Sequence, residues 1–364
     1  MSFIIDAIGT AVPHYSITQS DAAEFAATCC EDSRSNKRIV SSLFHRAGID
    51  SRHSVILESA ADDESYCQNF YPPSNGEMDQ GPTTSQRMEV FETASAELAI
   101  AATRNALAQS CTQRADISHL VTVSCSGFQA PGFDIALIRE LGLSPNVSRT
   151  HIGFMGCHGA LNGLRVAHAF ADANPDARIL LCAVELCSLH YQYGMTANKI
   201  VSNALFADGS AALVGGTKLE TSVDKWHLAA SGSTVFSETE DMMRWSIGDH
   251  GFKMELSAQV PETIGQLLRP CLEGWLAEQK LSLADVGSWA IHPGGPRILD
   301  ACASALGLLD KDLKVSRSVL ANYGNMSSPT ILFIINELHN QNSQLPCVTM
   351  AFGPGLTVET ALFR

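Results

Sequence analysis

Strand-like and helix-like segments alternate along almost the whole chain, and this alternation is the feature that most constrains its fold. Apolar runs such as "HLVTVSCSGF", "ARILLCAVEL" and "SNALFADGSAALVGG" read as strands, and "VFETASAELAIAATRNALAQ" and "DIALIRELGL" between them have helical spacing. Strands this apolar are typical of sheets covered on both faces by helices. The pattern therefore predicts an α/β protein with buried sheets.

A similar series begins again near residue 226 and runs to the last strands, "CVTMAFGPG" and "LTVETALF". Both halves close on a Phe-x-x-Gly segment, in "LFADGSAALVGG" and in "AFGPGLTVETAL". This repetition indicates a duplication, and we divide the chain into domains of residues 1–222 and 223–364. Residues 58–90 are polar, acidic and rich in Pro and Gly, which predicts a long surface loop.

Composition narrows the possible partners. The 364 residues, of which 45% are hydrophobic, are enough for an enzyme-sized globular core. A formal net charge of −14 argues against nucleic acid or an anionic membrane as a general partner, because both favour a basic surface. No run approaches the roughly 18 apolar residues of a membrane span, and the N-terminus lacks early basic residues. We expect a cytoplasmic protein without stable membrane insertion.

The eleven cysteines include no C-x-x-C pair, so neither a zinc ribbon nor a redox dithiol is indicated, and we predict no metal site. Most of them are expected to be reduced core residues. Cys157 is the exception, because it lies between glycines in "HIGFMGCHGALNGL", at the start of an apolar helix. The unpaired N–H groups and the positive dipole end at such a position favour a thiolate. The alternative is a small buried residue with no chemical role.

Two other polar residues occupy comparable places. His292 ends the apolar strand in "SWAIHPGG", and Asn325 lies in "NYGNMSSPT" just ahead of the helix "ILFIINEL". Strand ends and helix starts converge on clefts in α/β folds, so the two residues are candidate partners of Cys157. Taken singly, His292 could be a hydrogen-bonded core histidine and Asn325 a turn or cap residue.

Five segments together resemble the signatures of the type III polyketide synthases, the chalcone and stilbene synthase family, in order and in spacing. They are "GFMGCHGALNGLR", "ALFADGSAAL", "AIHPGGPRIL", "YGNMSSPTILF" and "AFGPGLTVET". The resemblance covers nearly the whole chain. It implies a thiolase-like, duplicated αβαβα layered fold, a homodimer, and coenzyme A thioesters as substrates with no separate cofactor.

By this resemblance Cys157 is the nucleophile, His292 is its base, and His292 with Asn325 donates to an oxyanion. The chemistry is consistent with these residue types. An imidazole beside a thiol stabilises the thiolate, which can then take an acyl group from a thioester. Decarboxylation of a second thioester gives an enolate, whose oxygen needs fixed N–H donors. A neutral Asn amide donates without adding negative charge.

The resemblance also assigns residues around this centre. Phe206 and Phe252 match two gate phenylalanines between the thiol and the coenzyme A tunnel, although ordinary core packing is the alternative. Basic residues expected near the coenzyme A phosphates are Arg46, the best match, with Lys37 and Arg38; a solvated helix face is the alternative there. The residues assigned to the substrate cavity are Cys125, Ala130, His190, Met243 and Ser327.

The departures from the plant pattern concern the substrate. Cys125 and His190 stand where plant chalcone synthases have threonines, and the small Ala130 stands where they have methionine. "WSIGDHGFKMELS" is similar to the bacterial alkylpyrone and alkylresorcinol synthases, whose cavities open into a tunnel for a fatty chain. These features favour an acyl-CoA starter of medium or long chain. His190 is polar, so aryl-CoA and malonyl-only priming stay open.

We therefore predict an acyltransferase that loads an acyl starter, extends it with malonyl-CoA by decarboxylative Claisen condensation, and releases a pyrone or resorcinol. A β-ketoacyl-ACP synthase III shares the Cys, His and Asn, but it usually follows its histidine with Gln-Ala-Asn, whereas this chain has "HPGG". A catalytically silent partner of another synthase is the alternative outside the enzymes.

Overall fold

The structure is a computed structural model that describes residues 3–30, 34–59, 66–217 and 226–364. The predicted boundary between residues 222 and 223 lies outside the described residues. The strands are β1 Phe3–Ala11, β2 Ser16–Thr18, β3 Ser51–His53, β4 Glu58–Ser59, β5 Tyr66–Cys67, β6 Ile117–Ser124, β7 Ser148–Gly153, β8 Arg178–Leu186, β9 Asp208–Gly216, β10 His227–Val235, β11 Met243–Gly248, β12 Gly251–Leu256, β13 Ser288–Ile291, β14 Cys347–Gly353 and β15 Thr357–Phe363. The helices are α1 Gln19–Thr28, α2 Arg34–His45, α3 Thr84–Gln109, α4 Phe133–Leu141, α5 Gly159–Ala173, α6 Ala197–Leu205, α7 Val260–Glu278, α8 Pro296–Leu306, α9 Lys314–Tyr323 and α10 Ser328–Asn340.

Nine strands form one mixed sheet in the order β13-β14-β15-β10-β1-β9-β8-β6-β7. Its two parts repeat the same pairing. In the first part β6 is parallel to β8, β8 is antiparallel to β9, and β9 is antiparallel to β1. In the second part β13, β14, β15 and β10 pair with the same directions in the same order. The duplication predicted from the sequence is therefore present in the topology, and β1 and β10 join the two parts.

Three buried clusters show how the layers are stacked. Helices α5 and α10 pack against each other, and both parts of the sheet cover them in the central cluster. Helices α3 and α4 cover the outer face of the first part, while α7 and α8 cover the outer face of the second. The order of layers is helix, sheet, helix, sheet, helix, as expected for a thiolase-like αβαβα fold. The starts of α5 and α10 consequently lie at the centre of the molecule.

Some local predictions were wrong. Helix α3 begins at Thr84 rather than near Val90, because Thr83 and Gln86 form a capping box within the segment predicted as a loop. The segment "SNALFADGSAALVGG" begins with the last turn of α6, and only Asp208–Gly216 is a strand. The loop prediction also missed the short strands β4 and β5. The hairpin of β11 and β12 and the helix α9 were not predicted.

Candidate active site

The turn that carries Cys157 is shaped by two close approaches of its backbone. Between β7 and α5 the chain makes a short 3-10 turn over Gly156–His158, with Gly156 at a φ of +72°. A Cβ on Gly156 would lie 2.6 Å from Pro354 Cδ, and one on Gly159 would lie 2.9 Å from Val123 Cγ1. The glycines flanking Cys157 therefore let the turn sit against β6 and the loop after β14. Cys157 itself precedes the first helical residue of α5.

Asn325 occupies the equivalent position ahead of α10. Its backbone N–H donates to Leu205 O and its C=O accepts from Ala207 N–H, both at 2.9 Å, so it lies beside Phe206. Its side-chain Oδ1 accepts from Ser327 N–H at 2.8 Å. This bond fixes the orientation of the side chain, which also lowers the pKa of the nearby Cys157 thiol through a hydrogen bond. Ser327 has a φ of +55°, a strained conformation of the kind that concentrates at functional sites.

His292 follows β13 directly and is held by its backbone, whose N–H donates to Met350 O on β14 at 2.9 Å. The turn of Cys157 packs against β14, so His292 and Cys157 are brought to the same region of the structure. The imidazole of His292 is 1% exposed, and neither ring nitrogen has a hydrogen-bond partner among the described residues. Leaving buried polar atoms unpaired costs stability, which marks these nitrogens as candidates for contact with a substrate.

Burial sets the protonation states of this site. It raises the pKa of the Cys157 thiol to about 11, although hydrogen bonds from Ser327 and Asn325 act in the opposite direction. Burial also lowers the pKa of His292 to about 3. Both groups are therefore neutral near pH 7, so burial outweighs the preference for a thiolate that the helix start was expected to give. Activating the thiol requires a base, and the unpaired His292 ring is available for that role.

Two cavities meet at this point. A small enclosed one, of about 20 Å³, is lined by Cys157 together with the predicted cavity residues Cys125, Met243 and Ser327. A larger one, of about 400 Å³, is lined by His190 and opens toward α1 and the residues after β3. Four side chains line both cavities and so lie between them: Cys187, Phe206, Trp245 and Met254.

The two predicted gate phenylalanines take different positions around these cavities. Phe206 lies between them, with its ring centroid 6.4 Å from that of Trp245. Phe252 lines the larger cavity and is 2% exposed. Its ring packs against Phe128 and Phe154, with centroids 6.2 and 5.7 Å away. Only Phe206 therefore borders the cavity that contains Cys157.

Six predicted residues line neither cavity: His292 and Asn325, which are buried, and four others that lie at the surface. Ala130 is exposed and lies in a separate surface depression with Arg149 and His151, because the loop after β6 turns outward before α4. Lys37 and Arg38 lie on the exposed side of α2. Arg46 follows that helix and is exposed as well. The structure thus places Ala130 away from the cavity to which it was assigned, and the three basic residues on the surface.

Sequence reasoning missed Glu185, a fully buried carboxylate on β8. Its oxygens accept hydrogen bonds from Ser126 Oγ and Ser328 Oγ, each at 2.6 Å, and from Cys125 N–H at 3.0 Å. It therefore joins the loop after β6 to the start of α10. Burial raises the pKa of Glu185. A lone acid in the apolar run "ARILLCAVEL" was the available signal, since a buried carboxylate needs hydrogen-bond donors.

Other features of the described chain bear on possible functions. All eleven cysteines are free thiols. Within the described ranges, no cluster of three or more His, Cys, Asp or Glu side chains has a geometry suited to a metal ion. No described helix combines the length and apolar character needed to cross a membrane.

A duplicated layered fold whose two central helices begin near Cys157 and Asn325, with His292 at the end of β13, is the arrangement expected of a condensing acyltransferase. Comparison with family models identifies the family. Residues 2–218 match the N-terminal domain of chalcone and stilbene synthases, and residues 227–364 match the C-terminal domain. The chain belongs to this family, the type III polyketide synthases, and is an acyltransferase.

Individual relatives agree with this assignment. The chain is 32% identical to "Alpha-pyrone synthesis polyketide synthase-like Pks18" of Mycobacterium tuberculosis, over 99% of this chain and 90% of that protein. It is also 32% identical to the 1,3,6,8-tetrahydroxynaphthalene synthase of Streptomyces peucetius, over 99% of this chain and 92% of that one. Among solved structures, PKS-I of the brown alga Ectocarpus siliculosus superposes with a TM-score of 0.93 at 30% identity, covering 100% of this chain and 98% of the other.

Proposed function

We propose that this enzyme loads a fatty acyl starter from coenzyme A onto Cys157, extends it with malonyl-CoA, and releases a cyclised pyrone or resorcinol. The observations that support the chemistry are a buried thiol whose pKa an Asn325 hydrogen bond lowers, and a buried imidazole with both nitrogens unpaired in the same region of the structure. The condensing activity belongs to the family. The starter and the product are proposals.

Loading begins when His292 takes the proton of the Cys157 thiol. The sulfur attacks the thioester carbonyl, the bond between that carbonyl and the coenzyme A sulfur breaks, and coenzyme A leaves with the proton from His292. Burial opposes the charged form of each group. Transfer of the proton from Cys157 to His292 leaves the net charge of the buried site unchanged. The bond between Ser327 N–H and Asn325 Oδ1 keeps the Asn325 amide directed at the reacting sulfur.

Extension uses the same donors for a second thioester. Malonyl-CoA loses carbon dioxide when the bond to its carboxylate breaks, and that electron pair moves to the thioester oxygen as an enolate. The Asn325 amide and the single N–H of the neutral His292 ring would donate to this oxygen. The enolate carbon then attacks the acyl carbonyl on Cys157, and the cysteine sulfur leaves. Donors fixed before the reaction stabilise such charge without reorganising.

The larger cavity supports a fatty starter. Its volume of about 400 Å³ is within the range of small-molecule sites, and its lining includes Ile17, Phe25, Ile56 and Leu57. Asp21 and Glu24 line it as well, which disfavours the coenzyme A phosphates there. We therefore assign the acyl chain to this cavity and the phosphates to the basic side of α2, with Arg46, Lys37 and Arg38. The relative named for alpha-pyrone synthesis favours a pyrone product.

The assembly and the compartment are also proposed. Phe128 and Met155 are 44% and 43% exposed, which is unusual for large apolar side chains and supports a homodimer through this face. Free thiols at all eleven cysteines are compatible with the cytoplasm, where coenzyme A thioesters are available.

A starter series tests the proposal. We expect kcat/KM to rise from acetyl-CoA through medium-chain to palmitoyl-CoA, because each buried methylene contributes about 0.8 kcal/mol. Products with malonyl-CoA are identified by mass spectrometry, with coumaroyl-CoA and malonyl-CoA alone in parallel. A flat or falling profile with chain length would exclude the fatty starter and leave the condensing chemistry intact. Efficient product from malonyl-CoA alone would favour malonyl-only priming instead.

A further inference from the structure

The hairpin of β11 and β12 shapes the active site, although it stands outside the main sheet. Its two strands pair only with each other among the described residues. It nevertheless brings four side chains to the cavities: Met243, Trp245, Phe252 and Met254. Because a two-stranded hairpin is marginally stable by itself, contacts with the rest of the protein must hold these side chains in place.

One set of contacts fixes the turn of the hairpin. At the start of α3, the Thr84 N–H donates to Asp249 O at 2.8 Å, and Gly251 N–H donates to Thr84 Oγ1 at 2.9 Å. The Thr84 hydroxyl also donates to Gly248 O. These bonds hold the turn of the hairpin. They do not reach its opposite end, where Met243 and Trp245 lie, so other contacts must fix that end.

His190 makes the contacts beside the cavity. Its Nε2 bonds to Ser126 O at 2.6 Å, and its Nδ1 bonds to Phe252 N–H at 3.0 Å. A carbonyl can only accept and an N–H can only donate, so the ring is the neutral tautomer with its proton on Nε2. Burial lowers the pKa of His190 to about 3, which keeps this tautomer uncharged under ordinary conditions. The ring thus joins the loop after β6 to β12.

The same ring also fixes two aromatic side chains. It stacks on Phe252 with centroids 4.2 Å apart and an interplanar angle of 12°, and it meets Trp245 edge-on at 5.4 Å. Trp245 is held in turn by its Nε1–H, which donates to Cys125 O at 2.7 Å. Phe252, His190 and Trp245 therefore form one packed unit between the loop after β6 and the hairpin.

We propose that His190 is a positioning residue that holds the hairpin against the active site through its two main-chain hydrogen bonds. It thereby fixes the positions of the Phe252 and Trp245 side chains beside the cavity that contains Cys157. The role in extension rests on the proposed function. Loading of a short starter such as acetyl-CoA needs only the thiol and its base, whereas extension also needs a cavity of fixed shape. Loss of His190 should therefore affect extension more than loading.

Three substitutions separate the two bonds. His190→Asn places an amide oxygen near the position of Nδ1 and can keep the bond from Phe252 N–H. His190→Gln reaches the position of Nε2 and can keep the bond to Ser126 O. His190→Thr keeps neither. His250→Asn is the matched control, because His250 lies on the same hairpin and bonds to Gly81 O at 2.8 Å, but it does not line the larger cavity.

The readouts are hydrogen exchange of peptides within residues 243–256, acylation of Cys157, and extension by malonyl-CoA. For His190→Thr we expect faster exchange in these peptides, acylation within about twofold of wild type, and extension slowed by about 10- to 100-fold, the range that follows from small misplacements. His190→Asn should recover exchange protection around Phe252 and part of the extension rate. His250→Asn should match wild type in extension.

Unchanged exchange in folded His190→Thr would overturn the proposal, and so would a His190→Asn variant no better than His190→Thr. If His190→Thr does not fold, the comparison of His190→Asn with His190→Gln decides, since only the former should protect the Phe252 amide. A different result would show that the proposed function is wrong: wild type would release no carbon dioxide from malonyl-CoA. The exchange experiment would still test the role of His190 in the hairpin.

Discussion

Cys157 shows how a single residue is governed by competing effects. Its position ahead of α5 provides N–H groups and a favourable dipole, which the sequence reveals. Its burial acts in the opposite direction and prevails, because the pKa of the thiol rises to about 11. The degree of burial depends on β6, the loop after β14 and α10, which close around the turn only in the folded chain. The position of Cys157 ahead of α5 was therefore predictable, but its protonation state was not.

At the scale of one element, the turn of Cys157 depends on Gly156. We expect Gly156→Ala to slow Cys157 acylation by about 10- to 100-fold, since an alanine Cβ would collide with Pro354 and shift the sulfur. The substitution should also lower the free energy of unfolding by about 1–2 kcal/mol, because alanine is strained at the left-handed φ of +72°. Acylation is followed by intact-protein mass spectrometry and stability by urea unfolding.

Gly142→Ala is the control for this prediction. Gly142 ends α4 with a similar φ of +65°, but a Cβ there would meet nothing within 4 Å. It should lose stability through its backbone conformation alone and acylate normally. Equal acylation by the two variants would show that the close approach to Pro354 has no role in placing the thiol.

The helices and strands also show how much of the fold could be predicted from the sequence. The strand and helix periodicities located most of β6 to β9 and the starts of α5 and α10, because each of these patterns is local. The signal for the start of α3, the capping box of Thr83 and Gln86, was also local, but the Pro and Gly residues nearby favoured a loop. The bonds of His190 to Ser126 and Phe252 join residues more than sixty positions apart, so no local pattern indicates them.

For the whole molecule, buried histidines predict a loss of stability in acid. The folded pKa values of His190 and His292 are about 3, well below the ordinary value of 6.5. As the pH falls from about 6.5 toward 3, the unfolded chain binds protons that the folded chain does not, so the free energy of unfolding decreases. The expected slope is about 1.4 kcal/mol per pH unit for each histidine. The buried carboxyls Glu185 and Asp208, whose pKa values are raised, act in the opposite sense at lower pH.

Urea midpoints between pH 8 and pH 5 measure this effect. Wild type should hold a constant midpoint above pH 7 and lose stability below about 6.5. His190→Asn removes one of these groups and should reduce the dependence of the free energy of unfolding on pH by about 1.4 kcal/mol per pH unit. A constant midpoint down to pH 5 would show that these imidazoles are protonated in the folded state, contrary to their burial.

The duplicated architecture leads to the central claim, which divides the chemistry between the two central helices. We propose that the turn ahead of α5 carries the acyl group on Cys157, and that the turn ahead of α10 presents the Asn325 amide to the enolate. Substitutions in the two turns should therefore remove different steps. Asn325→Asp is informative because it keeps the acceptor for Ser327 N–H, loses the amide donor and adds negative charge.

The most direct measurement follows both steps in the same samples: acyl adducts on Cys157 by intact-protein mass spectrometry, and carbon dioxide released from malonyl-CoA. We predict that Asn325→Ala loads the starter within about twofold of wild type, and that Asn325→Ala and Asn325→Asp both lose decarboxylation by on the order of 100-fold or more. Cys157→Gln should show the reverse, with no adduct and continued decarboxylation. If folded Asn325→Ala decarboxylates like wild type, or if Cys157→Gln loses decarboxylation as well, this division of roles is contradicted.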